Sequence, residues 1–329
     1  MPGSWDSLKM RELRGRPIIT LTLNPSIDAS SQADEVRPIH KIRTSGERFD
    51  PGGGGINVAR IVRELGAETR AIYLAGGATG GTFNELLDAA SIPRLPVAIA
   101  GHTRICHAVY EHSTHLEYRF VSAGPTVEDA EWRSLLGCLE EVDCDYLVAS
   151  GSLPMGVPVD FYAMVARLAR KKGIRLVLDS SGEALSAGLE EGVFLVKPSL
   201  SELEGLCGNS LADANSQEHA VRELVKSTRA QIVALTLGRD GALLASSKGT
   251  LRHAGAKVET RSAVGAGDSF LGAMTLRLSQ GHDEEDAFLY GMSAGAATAM
   301  TPGTELCARA DVERIYSELR RPSPKQGQP

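Results

Sequence analysis

The chain is poor in the signatures that announce the common nucleotide and hydrolase sites. It has no G-x-x-x-x-G-K-[ST] loop, which excludes a Walker-type phosphate site, and no G-x-S-x-G elbow for a hydrolase serine. No basic cluster stands out and the formal net charge is −6, so nothing suggests nucleic acid or an anionic membrane as partner. No apolar run approaches transmembrane length. Cysteine is scarce and unpaired in pattern: five residues, an odd number, with no C-x-x-C, the usage of a reducing cytosol and an expected cytoplasmic location. Residues 1–17 lack an apolar h-region and read as a flexible leader, not a signal peptide. The tail, 321–329, is expected to be disordered. There is no internal repeat.

What is present is a regular alternation. At 329 residues the chain can bury a large core. Short apolar or β-branched runs at Ile18–Leu23, Arg70–Leu74, Tyr146–Ala149, Arg175–Leu178, Val193–Val196 and Gln231–Leu237 read as strands of a sheet covered on both faces. Helical spacing falls between them: Ile56, Ala59, Val62, Leu65; Phe161, Met164, Val165, Leu168; and Val221, Leu224, Val225. The class is therefore α/β, a doubly wound, mostly parallel sheet flanked by helices. Two segments interrupt it, about 29–50 and 97–122, with few helical signals and, in the second, the alternating runs His107–Tyr110 and Tyr118–Val121. They read as a small β lid over the ligand-binding edge; loops of that length inside a compact domain are uncommon.

Three places carry chemistry. In Ser262-Ala263-Val264-Gly265-Ala266-Gly267-Asp268-Ser269, small residues let an anion approach backbone N–H groups, and the following apolar run (Phe270, Leu271, Met274) offers a helix N-terminus. Asp268 would face that anion, either as a base taking a proton from an attacking hydroxyl or merely as a helix cap. Pro51-Gly52-Gly53-Gly54-Gly55-Ile56-Asn57 lays bare backbone before a helix, and Asn57 can both donate to and accept from sugar hydroxyls. Its spacing is not G-x-G-x-x-G, and no acidic residue sits about twenty positions on, which argues against a dinucleotide site. Asp28, just past the first strand, lies where open α/β sheets bind ligands, although a loop Asp is more often a turn former. His112 and His115 form an H-x-x-H that lacks the further ligands zinc requires.

Taken together, Asp28, the Gly52–Asn57 loop, Ser150-Gly151-Ser152-Leu153-Pro154, Asp179-Ser180-Ser181-Gly182, Thr236-Leu237-Gly238-Arg239-Asp240-Gly241 and Val264–Ser269 resemble the ribokinase/PfkB carbohydrate kinases. The likeness runs from about Ile18 to Leu319, a ribokinase-like kinase domain over 18–320, and is strongest to the branch that phosphorylates phosphosugars. The resemblance implies glycolytic transfer of the ATP γ-phosphoryl group to the 1-hydroxyl of fructose 6-phosphate. Asp268 would be the catalytic base, Gly265 would belong to the same catalytic loop, and the amides of Ala266, Gly267 and Asp268 would steady the transferring group. Asp28, Gly53, Gly54, Asn57 and Ser152 would hold the sugar, with Arg104, and Lys41 from a second subunit, on its phosphate; Arg43 and Arg119 are further cations of the lid. Lys197, Ser199, Thr236, Gly238 and Gly241 would hold the nucleotide. A homodimer paired through the lid is expected.

The resemblance also implies Mg²⁺ with ATP, Glu202 facing it through water, where relatives commonly carry Asn-x-x-Glu and this chain has Ser199-Leu200-Ser201-Glu202. Ser262, Val264, Thr298, Gly303 and Glu305 match a carbonyl pair of loops that holds K⁺ in relatives. Alternatives are a tagatose 6-phosphate or fructose 1-phosphate kinase, and a non-enzymatic sugar-phosphate sensor.

Overall fold

A computed structural model of the chain describes residues 16–321. The expected leader and tail lie, except for residues 16, 17 and 321, outside the described residues. The chain begins with β1 (Ile18–Thr22), β2 (Ser26–Ala33), β3 (Ser45–Gly52), α1 (Gly54–Glu64), β4 (Thr69–Gly76), α2 (Gly77–Ala89), β5 (Arg94–Ile99), β6 (Arg104–Glu111) and β7 (Leu116–Phe120). It continues through α3 (Asp129–Glu140), β8 (Tyr146–Ser150), α4 (Phe161–Lys172), β9 (Arg175–Asp179), α5 (Gly182–Glu190), β10 (Val193–Val196), α6 (Leu200–Cys207) and α7 (Ala214–Lys226). It closes with β11 (Ala230–Thr236), β12 (Ala242–Ser246), β13 (Gly249–His253), α8 (Ala266–Ser279), α9 (Glu284–Ala299) and α10 (Arg309–Leu319).

Nine strands form the large sheet, in the order β13-β12-β11-β10-β9-β8-β1-β4-β5, parallel except where β12 pairs antiparallel with its two neighbours. The two-residue period of a strand sends alternate side chains to opposite cores. Leu147 and Ala149 of β8 join Leu21, Leu178 and Val233 on one face, while Tyr146 and Val148 join Val177, Leu195 and Ala234 on the other. All these residues are buried, which is why the strands read as continuous apolar runs. The second face is covered by α1, α8, α9 and α10; Leu271 and Met274 of α8 have no exposed surface, and truncating either to Ala would cost about 2–5 kcal/mol.

A separate four-stranded sheet, in the order β3-β2-β6-β7, forms the lid. Two boundaries differ from the sequence reading. Val97–Ile99 belong to β5, paired parallel to β4 with Leu74 opposite Val97, because Val97 and Ile99 are buried in the body's core. Asp28 sits within β2, not in a loop, since the lid strand starts directly after Pro25 at Ser26. The hairpin β12–β13, unforeseen in the sequence, extends the large sheet beyond β11. Cross-strand pairing sorts the lid's two faces: Asp50, Asp28 and Cys106 stand opposite one another, as do Ala108 and Arg119, while Phe49, Ala29, His107 and Phe120 line up on the reverse. Phe49, Leu116 and Phe120 on that reverse face are exposed.

Candidate active site

The glycines around Val264–Ser269 make a helix start possible in a confined place. Gly265 takes a left-handed φ of 72°, which L residues resist, and turns the chain into α8. Ala266, Gly267 and Asp268 follow as the first turn, whose N–H groups have no partner within the helix. No side chain caps this end. The Asp268 carboxylate instead accepts a hydrogen bond of 2.9 Å from Asn57 Nδ2 of α1. Burial pushes Asp268 above the ordinary carboxylate pKa; the Asn57 bond and the Lys197 and Arg119 charges oppose that rise, and Asp28 adds to it.

The glycine run Gly52–Gly55 permits a close packing of main chain on side chains. A Cβ on Gly52 would collide with the Asp28 carboxylate and one on Gly54 with the Ser150 hydroxyl, while Gly53 has φ 107° and a Cβ there would lie 2.9 Å from Thr22 Cγ2. The result is a cavity of about 190 Å³ whose walls bring together Asp28, Gly53, Gly54, Asn57, Arg104 and Asp268. Arg119 of β7 reaches the same cavity. Asp28 accepts from Ser26 Oγ at 2.6 Å; burial raises its pKa, against the pull of Ser26 and of Arg104, Arg60 and Arg119. Arg104 is held rigidly, donating to the carbonyls of Ser122 and Asn24, both at 2.8 Å, and its buried Nε has no partner.

A second cavity, of about 600 Å³, is lined by Ser199, Thr236 and Gly238. Gly241 does not line it: with φ 105° and the His253 carbonyl where a Cβ would stand, it serves the turn into β12. Lys197, 6% exposed, lines neither cavity. Its Nζ is 3.3 Å from Asp179 Oδ1, and a Cβ on Gly267 would lie 3.3 Å from that Nζ, so the ammonium rests against the first turn of α8. Burial alone would lower the lysine pKa, but the carboxylates of Asp179, Asp268 and Glu202 outweigh it and keep the group charged. Asp179 is pushed up to about 6 by burial, with Lys197 opposing.

Ser199 caps α6 in a reciprocal box, its N–H donating to Glu202 Oε2 at 2.8 Å and its Oγ accepting from the Glu202 N–H at 3.3 Å. Among the described residues no cluster of three or more His, Cys, Asp or Glu could cage a metal. Glu202 Oε1, which the capping box leaves unengaged, is the oxygen that could face the water shell of a Mg²⁺ brought in with the nucleotide phosphates. The loops expected to hold K⁺ are joined, Arg261 and Ser262 donating N–H to the Ala299 carbonyl at 2.8 and 3.4 Å. The Thr298 carbonyl accepts from both the N–H and the hydroxyl of Thr301. Gly303, φ 57°, packs against Ser30 of the lid, and Glu305 pairs with Arg48.

Some expected residues stand apart. Lys41 and Arg43 are exposed in the β2–β3 connection and do not line the cavity. Ser152, exposed beyond β8, reaches only Asn24 Nδ2 at 3.5 Å. His115 bonds to the Tyr110 hydroxyl at 3.0 Å. Sequence reasoning missed Asp50, Arg60 and Thr304. Arg60 Nη2 meets Asp50 Oδ1 at 3.1 Å, Arg60 Nη1 meets Asn57 Oδ1 at 3.3 Å, and Thr304 Oγ1 donates to Asp50 Oδ2 at 2.6 Å. The three-residue spacing of Asn57 and Arg60 on one helix was the available signal.

Comparison with known proteins agrees with this geometry. The family model described as pfkB family carbohydrate kinase matches residues 21–311. The chain is 41% identical over 327 residues to "ATP-dependent 6-phosphofructokinase isozyme 2" of Mycobacterium tuberculosis, covering 98% of this chain and 94% of that one. It is 30% identical over 304 residues to the 1-phosphofructokinase of Bacillus subtilis, covering 92% and 98% of the two chains. The crystal structure of phosphofructokinase-2 from Escherichia coli in complex with potassium superposes with a TM-score of 0.90 at 39% identity, covering 93% of this chain and all of that one. No helix among the described residues is long and apolar enough to cross a membrane. The chain belongs to the pfkB family of carbohydrate kinases, phosphotransferases whose acceptor is an alcohol.

Proposed function

We propose that the protein transfers the γ-phosphoryl group of ATP to the 1-hydroxyl of fructose 6-phosphate. The observation that carries this reading is the meeting, in one cavity, of the Asp268 carboxylate with Asp28 and the tethered Arg104, with Lys197 against the same first turn of α8. ATP enters the cavity beside Ser199, Thr236 and Gly238 and directs its phosphates past Lys197 to the first-turn amides of α8. The sugar occupies the smaller cavity, Asp28 accepting from its hydroxyls and Arg104 meeting its phosphate. Asp268 then takes the proton of the 1-hydroxyl as that oxygen attacks in line, a contribution of about 10²–10⁴-fold, while amides and Lys197 stabilise charge on the moving group. Mg²⁺, when bound with ATP, supplies further neutralisation of the β- and γ-phosphates.

The substrate choice rests on the higher identity to the 6-phosphofructokinase than to the 1-phosphofructokinase. A coupled ADP-release assay across free and phosphorylated hexoses tests it: fructose 6-phosphate is expected to give the highest kcat/KM. A preference for fructose 1-phosphate or tagatose 6-phosphate would replace the assignment, and no turnover at all would favour a sensor. The exposed Phe49, Leu116 and Phe120 support a homodimer in which two lids pair, with Lys41 reaching the partner's site. Five free cysteines fit a cytoplasmic enzyme. Activation by K⁺ over Na⁺ is expected from the joined loops at 262–264 and 298–305.

A further inference from the structure

Arg60 is a charged side chain in a place that needs explaining, since the side chain is 13% exposed and no proposed ligand contact uses it. Three acceptors surround it: Asp50 Oδ1 at 3.1 Å, the Pro51 carbonyl at 3.1 Å and Asn57 Oδ1 at 3.3 Å. Asp50, 6% exposed, is fixed in turn by Arg48 Nε at 2.7 Å and Thr304 Oγ1 at 2.6 Å. Arginine cannot accept a hydrogen bond, so the Asn57 oxygen must face Arg60. The Asn57 amide nitrogen is thereby turned to Asp268 Oδ2, at 2.9 Å.

We propose, resting on the kinase reading above, that Arg60 is a positioning residue: clamped by Asp50, it sets which way the Asn57 amide points and so keeps one oxygen of Asp268 occupied and the other free for the substrate hydroxyl. Without the guanidinium the Asn57 oxygen loses its donor and the amide is held at one end only, so the bond to Asp268 that favours the ionised base is weakened and its direction loosened. The other charged groups facing Asp268 are Asp28 of β2, Arg119 of β7, Asp179 of β9 and Lys197 after β10; none of these hydrogen-bonds to Asn57 Oδ1, so Arg60 is the group that anchors the oxygen end of the amide. Lysine would keep the charge but lacks the fork that spans Asp50, Pro51 and Asn57 at once.

The test compares Arg60→Lys and Arg60→Gln with wild type in steady-state kinetics over pH and in direct titration of carbon-13-labelled aspartate carboxyls, with the Asp268 signal assigned by Asp268→Asn. In both variants kcat is expected to fall ~10- to 100-fold with KM for ATP within about twofold, and the acid limb of kcat and the Asp268 titration to move to higher pH. Wild-type kcat in Arg60→Lys, or a loss of kcat with the acid limb and the titration unmoved, overturns the proposal. Should Arg60→Gln fail to fold, Arg60→Lys alone decides. A wild-type protein that turns over no phosphosugar overturns the functional reading, whereas the titration of Asp268 still decides the role of Arg60.

Discussion

Lys197 and Asp179 form a buried ion pair, Nζ to Oδ1 3.3 Å, and the lysine of that pair also touches the first turn of α8. The same ammonium thus links a buried pair of the fold to the helix start proposed to receive phosphate. Lys197→Met leaves the Asp179 carboxylate without its counter-ion and is expected to cost about 3–5 kcal/mol of stability. Protonation relieves an unpaired buried carboxylate, so the loss should be smaller at pH 5 than at pH 8. Adding Asp179→Asn should recover most of the stability but not turnover. Recovery of both would mean that Lys197 has no part in phosphoryl transfer; denaturant titrations beside kcat measurements make the distinction.

Asp268→Asn is expected to bind ATP and phosphosugar almost normally and to transfer phosphate at least about a hundredfold more slowly. Burial raises the native pKa, so the wild-type acid limb should lie above the ordinary carboxylate range and vanish in the variant. A pH–rate profile with the same acid limb in both proteins would remove Asp268 from the role.

Arg104→Ala should raise KM for the phosphosugar by an order of magnitude or more, with KM for ATP little changed, because its guanidinium lines only the smaller cavity. Arg104 is tethered to two carbonyls, so Arg104→Lys should not rescue. Parallel changes in both KM values would mean general unfolding.

Glu111 fastens the β2–β6 end of the lid, accepting from the Val36 N–H at 3.0 Å and from the hydroxyls of Ser113, Thr114 and Tyr118 at 2.6, 2.8 and 2.9 Å. The Ser113 hydroxyl, then the Val36 N–H and the others, hold its pKa down to about 2, below the ordinary 4.5. A depressed acid stabilises the fold above its unfolded pKa, and the contribution fades as pH falls toward the native value. Glu111→Gln should therefore lower the melting temperature at neutral pH and narrow its gap to wild type by about pH 3. A gap independent of pH would show that the carboxylate charge is not what holds the lid.

Much of the site was legible before any fold was built. Gly265, Asp268, Gly53, Gly54, Asn57 and Asp28 were singled out from residue type and spacing and Arg104 from the family resemblance, and the structure places all of them around one cavity. Arg60 and Asp50 escaped notice because an isolated Arg and an isolated Asp read as solvated surface. Lys41 was legible only as a cation, and its place in an exposed connection leaves it outside this chain's cavity.

The amino-acid order by itself determined the alternation of strands and helices in the body, because strand patterning, helical spacing and the need for Gly at a positive φ are settled among near neighbours. It likewise determined where bare backbone could receive an anion. Only the tertiary structure decided that Asp268 bonds to Asn57, 211 positions away, instead of capping its own helix, and that Thr304 meets Asp50 across 254 positions. Such pairings depend on how α1, α8 and the lid pack, and packing is a property of the whole chain that no local pattern encodes.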